Sequence, residues 1–144
     1  MKLSTKGRYA VMAMVDLARH SNGGPVCLSD IAERQEISLP YLEQLFAKLR
    51  RGGLVRSVRG PGGGYRLARP AADLSVADVV TAVDEPLRAT RCDGHGPGCL
   101  RGGARCRTHD LWEETGRQIH DYLASVSLAD VLAGRLRPGQ GVVQ

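Results

Sequence analysis

Three cysteines and a histidine lie close together in the second half of the chain, in the order Cys92-x6-Cys99-x6-Cys106-x2-His109. The spacers between them are rich in glycine, proline and arginine, and they contain too little apolar surface to form a core of their own. A bound metal centre would supply the order that such a loop lacks. Because thiolates suit zinc, Cu(I) or an iron–sulfur cluster, the sequence predicts a metal-binding loop.

The ligand set leaves several metal centres open. Structural zinc sites usually contain closely spaced pairs of cysteines, and two such CxxC pairs are absent from this stretch. A Cys3His iron–sulfur cluster is chemically reasonable, and a neutral imidazole in place of one thiolate should raise its reduction potential. His95 lies between two glycines of the loop and is a rival to His109 as the fourth ligand. A loop of free, exposed thiols is the remaining alternative.

The other cysteine and the outlying histidines fit less specialised roles. Cys27 precedes the second predicted helix, and we expect a small buried side chain rather than a ligand. His20 and His120 are expected to lie at the surface or to be partly packed. The sequence contains no export signal and no apolar run near the ~20 residues that span a membrane. We therefore expect a cytoplasmic protein without a disulfide framework.

The elements that must position the loop begin with a helical pattern in the first half of the chain. A helix is predicted up to about residue 20, and a short one capped by Ser29 is predicted over 30–36. After a break, a helix over 39–51 has apolar residues at i, i+3, i+4 and i+7, which form one face. A short helix, a tight break and a longer helix with a polar and basic outer face are typical of a helix-turn-helix.

A glycine-rich turn follows this second helix of the pair. Residues 54–59 and 65–67 contain strand formers, and residues 60–64 between them read Gly-Pro-Gly-Gly-Gly, so a β-hairpin is predicted. A hairpin directly after a helix-turn-helix is a wing. Small residues at its tip would let the backbone approach DNA closely, and the arginines around it suit a narrow minor groove.

The distribution of charge favours a nucleic-acid partner over a merely solvated basic surface. The chain has a formal net charge of +5, with twelve basic and five acidic residues over 1–70 and eight and ten over 71–144. The basic half coincides with the predicted helix-turn-helix and wing. Outward side chains of the second helix would read base edges in the major groove. The residues expected to contact double-stranded DNA are Ser38, Pro40, Tyr41, Glu43, Gln44, Lys48, Arg51, Arg56, Arg59, Gly60, Gly62 and Gly63.

Helices around and after the cysteine loop complete the pattern. One is predicted over 75–85, stopped by Pro86, one over 110–125 and a short one over 127–133. The 110–125 helix and its end show large side chains at intervals of three and four residues, which suits two helices packing lengthwise. The residues of this seam are Trp112, Thr115, Ile119, Tyr122 and Val126. The seam predicts a homodimer, with an intramolecular core face as the alternative.

The expected fold class is mostly α with a small β wing: a winged helix-turn-helix DNA-binding domain plus a dimerisation helix. We expect a DNA-binding region over 1–86 and a cluster-binding loop over 87–109. The dimerisation helix and the short helix after it should occupy 110–135, and 136–144 should be a disordered tail. The sequence contains no nucleotide-binding loop, nucleophile triad or carboxylate pair, so an enzyme is not expected. A redox or cluster-transfer protein is a remote alternative.

Several short stretches together resemble the winged-helix family of iron–sulfur, iron and nitric-oxide sensing transcription regulators. The resemblance covers about residues 2–135. The stretches that carry it are 4–11, 37–39 with 41–46, 57–65, 82–85, 89–92, and 108–109 with 111–112.

The resemblance implies a winged-helix domain whose dimerisation helix packs on the partner subunit. It also implies a 2Fe-2S cluster held by Cys92, Cys99, Cys106 and His109 and supplied by the iron–sulfur assembly machinery. Occupancy of the cluster would change which operators are bound, so that the regulator would report iron–sulfur supply and control cluster-assembly genes. No membrane partner is implied.

The chain also departs from the pattern that it resembles. Each spacer between the cysteines is one residue longer, and Pro40 and Ala47 stand where serines are usual, so operator preference is expected to differ. Arg8 occupies the place from which nitric-oxide sensing relatives recruit an acidic ligand, which favours the His-ligated 2Fe-2S reading. A zinc-stapled or a nitric-oxide sensing repressor is the alternative.

Overall fold

The computed structural model describes residues 5–83, residue 98 and residues 100–136. The regular structure of these residues consists of six α-helices, two single 3-10 turns and one antiparallel sheet of two strands. The helices and strands in chain order are α1 (Thr5–His20), α2 (Leu28–Gln35), α3 (Leu39–Arg51), β1 (Val55–Val58), β2 (Gly64–Leu67), α4 (Val76–Ala82), α5 (His109–Ser125) and α6 (Leu128–Ala133). The predicted mostly helical fold with a small β wing is confirmed.

Helix α1 is the centre of the core, because it contacts α2, α3, α4, α6 and β2. Ala10, Ala13, Met14 and Leu17 of this helix are fully buried. A helix that is apolar nearly all round must pack on more than one side, and that is what the surrounding elements provide. The helix-turn-helix and the wing are thus mounted on one shared core.

A buried carboxylate joins α1 to α2. Asp16 interrupts the apolar run of α1, yet its side chain is only 1% exposed. Arg34 donates to it from Nη2 at 2.7 Å and from Nε at 3.0 Å, and Gln35 donates from Nε2 at 2.8 Å. Burial by itself would raise the pKa of Asp16, but these hydrogen bonds and the charges of Arg34 and His20 outweigh it and lower the pKa. The ionised carboxylate therefore fixes α2 against α1.

The start of α2 differs from the prediction in two respects. The helix begins at Leu28, and its N-cap is Cys27 rather than Ser29. The reason is that the Cys27 carbonyl accepts from the backbone N–H groups of Asp30 and Ile31, so the first helical turn starts earlier. The expectation of a buried Cys27 was wrong, since the side chain is exposed. Its Sγ lies 2.8 Å from Ser29 Oγ, and this hydrogen bond lowers the pKa of the thiol.

The segments around α4 and α6 are tied together by their caps. Ser75 and Ser127 each form a reciprocal capping box with an aspartate three residues later. The two serines also form an antiparallel β-bridge, which joins the chain before α4 to the chain before α6. Helix α4 ends at Ala82, three residues before the predicted end, because Val83 already leaves the helical conformation. Pro86 lies outside the described residues.

Within the described ranges, none of the helices combines the length and the apolar character needed to cross a membrane. The predicted tail over 136–144 lies outside these ranges except for Leu136, which is exposed.

Candidate nucleic-acid interface and metal centre

Helix α3 is positioned by a short apolar stripe and a cap. Leu42, Leu45, Phe46 and Leu49 are buried in the core. At the N-terminus, the Ser38 side chain accepts a hydrogen bond from the backbone N–H of residue 41 at 3.3 Å, and a proline occupies the first turn. The stripe fixes the rotation of the helix about its axis, so the opposite face is turned to solvent.

The outward face of α3 carries most of the side chains predicted to read DNA. Ser38, Pro40, Glu43, Gln44 and Arg51 are exposed there. Apart from proline, these side chains can bond base edges and phosphates, as expected of a helix that enters the major groove.

Tyr41 and Lys48 differ from the other members of this face, because both are half-buried. Tyr41 packs edge-to-face on Tyr9 of α1, with ring centroids 5.9 Å apart. Tyr41 thus joins the start of the helix to α1, with part of its ring left at the surface.

The wing is a two-stranded hairpin in a defined register. Val55 pairs with Leu67, and Arg56 lies directly opposite Arg66. Because side chains alternate along a strand, the first pair faces the core and the two arginines share the outer face. Arg56 and Arg59 are exposed, so the arginines expected to suit a narrow minor groove lie at the surface of the hairpin.

The tip of the wing depends on glycine. Gly60 and Gly62 have φ values of 100° and 73°, a region that L side chains rarely adopt. A Cβ at Gly63 would overlap the Val58 carbonyl and would lie 2.8 Å from the Gly60 oxygen, which already accepts from the Gly63 N–H. The backbone is therefore exposed at the tip, where it can approach a nucleic acid closely.

Two contacts attach the wing to the rest of the domain. The Tyr65 ring meets Phe46 of α3 at 5.0 Å between centroids. The Tyr65 backbone also exchanges two hydrogen bonds of 2.8 Å with Val26, which forms an isolated antiparallel β-bridge beside the two-stranded sheet. This bridge could not be predicted from the sequence, because a single paired residue has no periodic pattern. These contacts hold the wing at a set distance from α3.

The described part of the cysteine loop, residue 98 and residues 100–108, contains no helix or strand, as its glycine-rich sequence predicts, but backbone hydrogen bonds link it. The N–H groups of Gly98 and Leu100 donate to the carbonyls of Gly103 and Ala104, each at 3.0 Å. These two hydrogen bonds close a tight turn just before Cys106. Cys92, Cys99 and the rival ligand His95 lie outside the described residues.

Cys106 and His109 are brought together at the start of α5. The His109 N–H donates to the Cys106 carbonyl at 3.0 Å, which places both residues in one turn. Cys106 is half-buried and its Sγ lies 3.5 Å from Thr108 Oγ1. His109 is 6% exposed, and its Nε2 lies 3.4 Å from Glu113 Oε2.

The donors at this turn fit a metal centre with soft and borderline ligands. A thiol and an imidazole one turn apart, at the N-terminal end of a helix, provide two of the four predicted ligands. Within the described ranges, the ligand atoms of His109, Asp110 and Glu113 lie within 4.8 Å of one another, and two of these three are carboxylates, which are harder donors than thiolates. The chemistry of Cys106 and His109 by themselves is compatible with the Cys3His set.

Helix α5 presents an apolar stripe to solvent. Trp112 and Tyr122 are 43% and 46% exposed, and Leu111 is also exposed. Thr115 and Ile119 between them are half-buried. Exposed large side chains at this spacing are compatible with the predicted packing of this helix along a partner subunit.

Val126 differs from the rest of the predicted seam. It is 7% exposed and packs within the chain against Val76 and Val80. The cause is that α5 ends at Ser125, so Val126 turns back toward α4 and pairs through its carbonyl with the Val76 N–H. The exposed stripe therefore ends at Tyr122.

The Asp16 network, which holds α2 against α1 beneath the helix-turn-helix, is a second feature that could not be predicted from the sequence. Asp16 and Arg34 are eighteen residues apart, so the spacing of the sequence offers no signal for their contact. The single usable indication was an aspartate within an apolar helical run, which implies a partner for its charge.

Comparisons with known proteins agree with the fold and the interface. The model of the Rrf2 family, described as an iron-dependent transcriptional regulator, matches residues 3–134. The HTH-type transcriptional regulator IscR of Xenorhabdus nematophila is 58% identical over 132 residues, which are 92% of this chain and 79% of that protein.

Solved structures show the same likeness. The structure of T. potens IscR aligns with a TM-score of 0.76 at 43% identity, covering 98% of this chain and 94% of the other. CymR (YrzC), described as the global cysteine regulator of B. subtilis, aligns with a TM-score of 0.79 at 31% identity, covering 93% and 98%.

These relatives confirm the family resemblance, the winged-helix fold and a DNA-binding role. They are transcriptional regulators rather than enzymes, which agrees with the expectation from the sequence. The chain belongs to the Rrf2 family and is an IscR-type transcriptional regulator.

Proposed function

We propose that this chain is a homodimeric regulator whose binding to operators depends on a 2Fe-2S cluster held by Cys92, Cys99, Cys106 and His109. The observation that carries the proposal is the buried His109, placed one turn from Cys106 at the start of α5. The iron-dependent description of the family supports the choice of metal. When bound, the cluster would supply a one-electron redox centre and a crosslink among its four ligands.

The position of the ligands suggests how occupancy reaches the DNA. Cys106 and His109 immediately precede and begin α5, so holding them fixes the first turn of this helix. The far end of α5 is joined to α4 by the hydrogen bond from Val76 N to Val126 O at 2.8 Å. Helix α4 in turn lies against the end of α3, where a Cβ on Gly52 would be 3.2 Å from Ala82 Cβ. A continuous packed path thus runs from the cysteine loop through α5 and α4 to α3, the helix proposed to enter the major groove.

The exposed stripe on α5 is proposed as the dimer contact. Trp112, Ile119 and Tyr122 would pack lengthwise on the partner subunit, and large aromatic side chains are typical of the centre of such interfaces. A dimer would place two recognition helices on half-sites about one helical turn of DNA apart. The winged domain over 1–86 would then bind the operator. The loop over 87–109 would sense the cluster, and the elements over 110–135 would form the dimer.

Anaerobic purification tests the cluster directly. Wild-type protein should be coloured and contain iron and acid-labile sulfide in equal amounts. Cys106→Ser should lose this absorbance, and the matched control Cys27→Ser should keep it, because Cys27 is the exposed cap of α2. A colourless protein containing zinc would overturn the proposal in favour of a structural zinc site.

Operator binding tests the regulatory part. Affinity for candidate promoters of cluster-assembly genes should differ between cluster-loaded and cluster-depleted protein at one salt concentration. Equal affinity on every operator would overturn the proposed coupling.

Sedimentation equilibrium tests the dimer. Trp112→Asp should shift the protein toward monomer, whereas the exposed wing residue Val58 changed to Asp should leave the oligomeric state unchanged. A wild-type protein that is monomeric at micromolar concentration would refute the dimer.

A further inference from the structure

We propose that Glu113 is a positioning residue that holds Nε2 of His109, so that Nδ1 is the nitrogen that ligates the cluster. The proposal rests on the proposed function, since it concerns the histidine of the Cys3His set. It adds a residue outside that set and specifies which of the two ring nitrogens carries the bond to iron.

The geometry comes from the helix. Glu113 lies four residues after His109 in α5, and side chains at this spacing share a helical face. Long side chains in a helix point back toward its N-terminus, so Glu113 reaches toward the first turn, where His109 lies. The result is the 3.4 Å separation between His109 Nε2 and Glu113 Oε2. A charge-assisted hydrogen bond is a few tenths of an ångström shorter, so the carboxylate must move that much closer to Nε2 for the bond to form.

The chemistry of the contact selects a tautomer. An ionised carboxylate can only accept a hydrogen bond, so in a hydrogen bond between the two side chains the proton must be on Nε2 of His109. A neutral imidazole has one N–H, and the lone pair is therefore on Nδ1. The burial supports this arrangement, because the His109 side chain is 7% exposed and that of Glu113 is 62% exposed. The carboxylate thus approaches the buried ring from the solvent side.

Asp110 is the natural control for this role. Its carboxylate belongs to the same group of potential ligand atoms as His109 and Glu113. However, Asp110 follows His109 directly, and adjacent residues do not face each other on a helix. Its side chain is 90% exposed and lies 4.0 Å from Arg105. Asp110 therefore brings a similar charge near the histidine without the contact to Nε2.

The contact has a consequence for the cluster. A carboxylate that accepts from one ring nitrogen makes the other nitrogen a stronger donor to a metal, and such partners orient the ligand. A stronger donor stabilises oxidised iron, so Glu113 should lower the reduction potential. Because a carboxylate near the cluster also lowers the potential by its charge alone, the test must separate the two effects.

The test combines a spectroscopic signature with two matched variants. Wild-type protein grown with histidine labelled with ¹⁵N at Nδ1 should show, in the reduced cluster, the strong hyperfine coupling of a directly bound nitrogen. Glu113→Gln keeps the size of the side chain but is a weaker acceptor, and it should raise the midpoint potential. Asp110→Asn removes the same charge and should raise the potential by clearly less.

The outcomes distinguish this inference from the function on which it rests. Strong coupling found with label at Nε2 instead, or equal shifts of potential in Glu113→Gln and Asp110→Asn, would overturn the role of Glu113 while leaving the cluster in place. A wild-type protein with no cluster, or a cluster with no strongly coupled nitrogen, would overturn the proposed ligand set itself. Label at Nδ1 with strong coupling and a larger shift in Glu113→Gln would establish the inference.

Discussion

Replacement of Asp16 with asparagine should destabilise this protein by about 2–3 kcal/mol, a value that follows from how the carboxylate is held. Hydrogen bonds to a charged group are worth about 1.5–3 kcal/mol each, and breaking a fully buried ion pair costs about 3–5 kcal/mol. Asp16 is buried, but the Arg34 side chain is 36% exposed and can be hydrated when its partner is lost. The cost should therefore lie below the range for a fully buried pair.

Urea denaturation followed by circular dichroism measures this cost. The matched control is Glu114→Gln, which breaks the exposed pair between Glu114 and Arg117 and should cost under about 1 kcal/mol. A double-mutant cycle with Arg34→Met isolates the coupling between Asp16 and Arg34, because contacting residues are not additive. Operator affinity should fall in Asp16→Asn as well, since α2 loses its charged link to α1 and keeps only its apolar packing through Ile31.

The pH dependence gives the reasoning a second check. The pKa of Asp16 lies below its ordinary value of about 3.9, so ionised Asp16 stabilises the fold above that value, and this stabilisation is lost as the pH falls through the lowered pKa. The difference in stability between wild type and Asp16→Asn should shrink as the pH falls below about pH 4. A difference no larger than that of the Glu114 control, or one that persists in acid, would refute the argument.

Three further predictions concern the interface and the caps. Gly63→Ala should weaken operator binding at least about tenfold in fluorescence anisotropy because its Cβ overlaps a wing carbonyl, and an unchanged affinity would contradict the role of the wing tip. Arg59→Ala should reduce the salt slope of binding by about one, and an equal change in Arg117→Ala would count against a phosphate contact. Ser127→Ala should cost about 1 kcal/mol in thermal unfolding through loss of the capping box, and an unchanged midpoint would show that the cap is dispensable.

Much of the fold could be predicted from the sequence because it rests on local patterns. The apolar stripe of α3 repeats every three or four residues, and its bounds were predicted to the residue. The glycines at 60–64 define a turn between two short runs of strand formers, so the hairpin was also predictable. The candidate DNA-contacting face follows directly from the stripe, since the residues opposite buried positions must be exposed.

The metal centre could be predicted as a set of ligands but not as a geometry. The spacing of the three cysteines and His109 indicates donor chemistry, and the structure adds that Cys106 and His109 share one turn at the start of α5. Cys92 and Cys99 lie outside the described residues, so the full Cys3His set stays a prediction.

The sequence by itself determined the order of helices and strands, the basic half of the chain and the chemistry of the cysteine loop. All of these depend on residues that are close along the chain. The tertiary structure decided that Asp16 is buried beneath Arg34, that Cys27 is exposed and that Val126 packs inward. Such outcomes depend on contacts between elements distant in sequence, because burial and charge pairing are set by how the helices pack rather than by the pattern within any one of them.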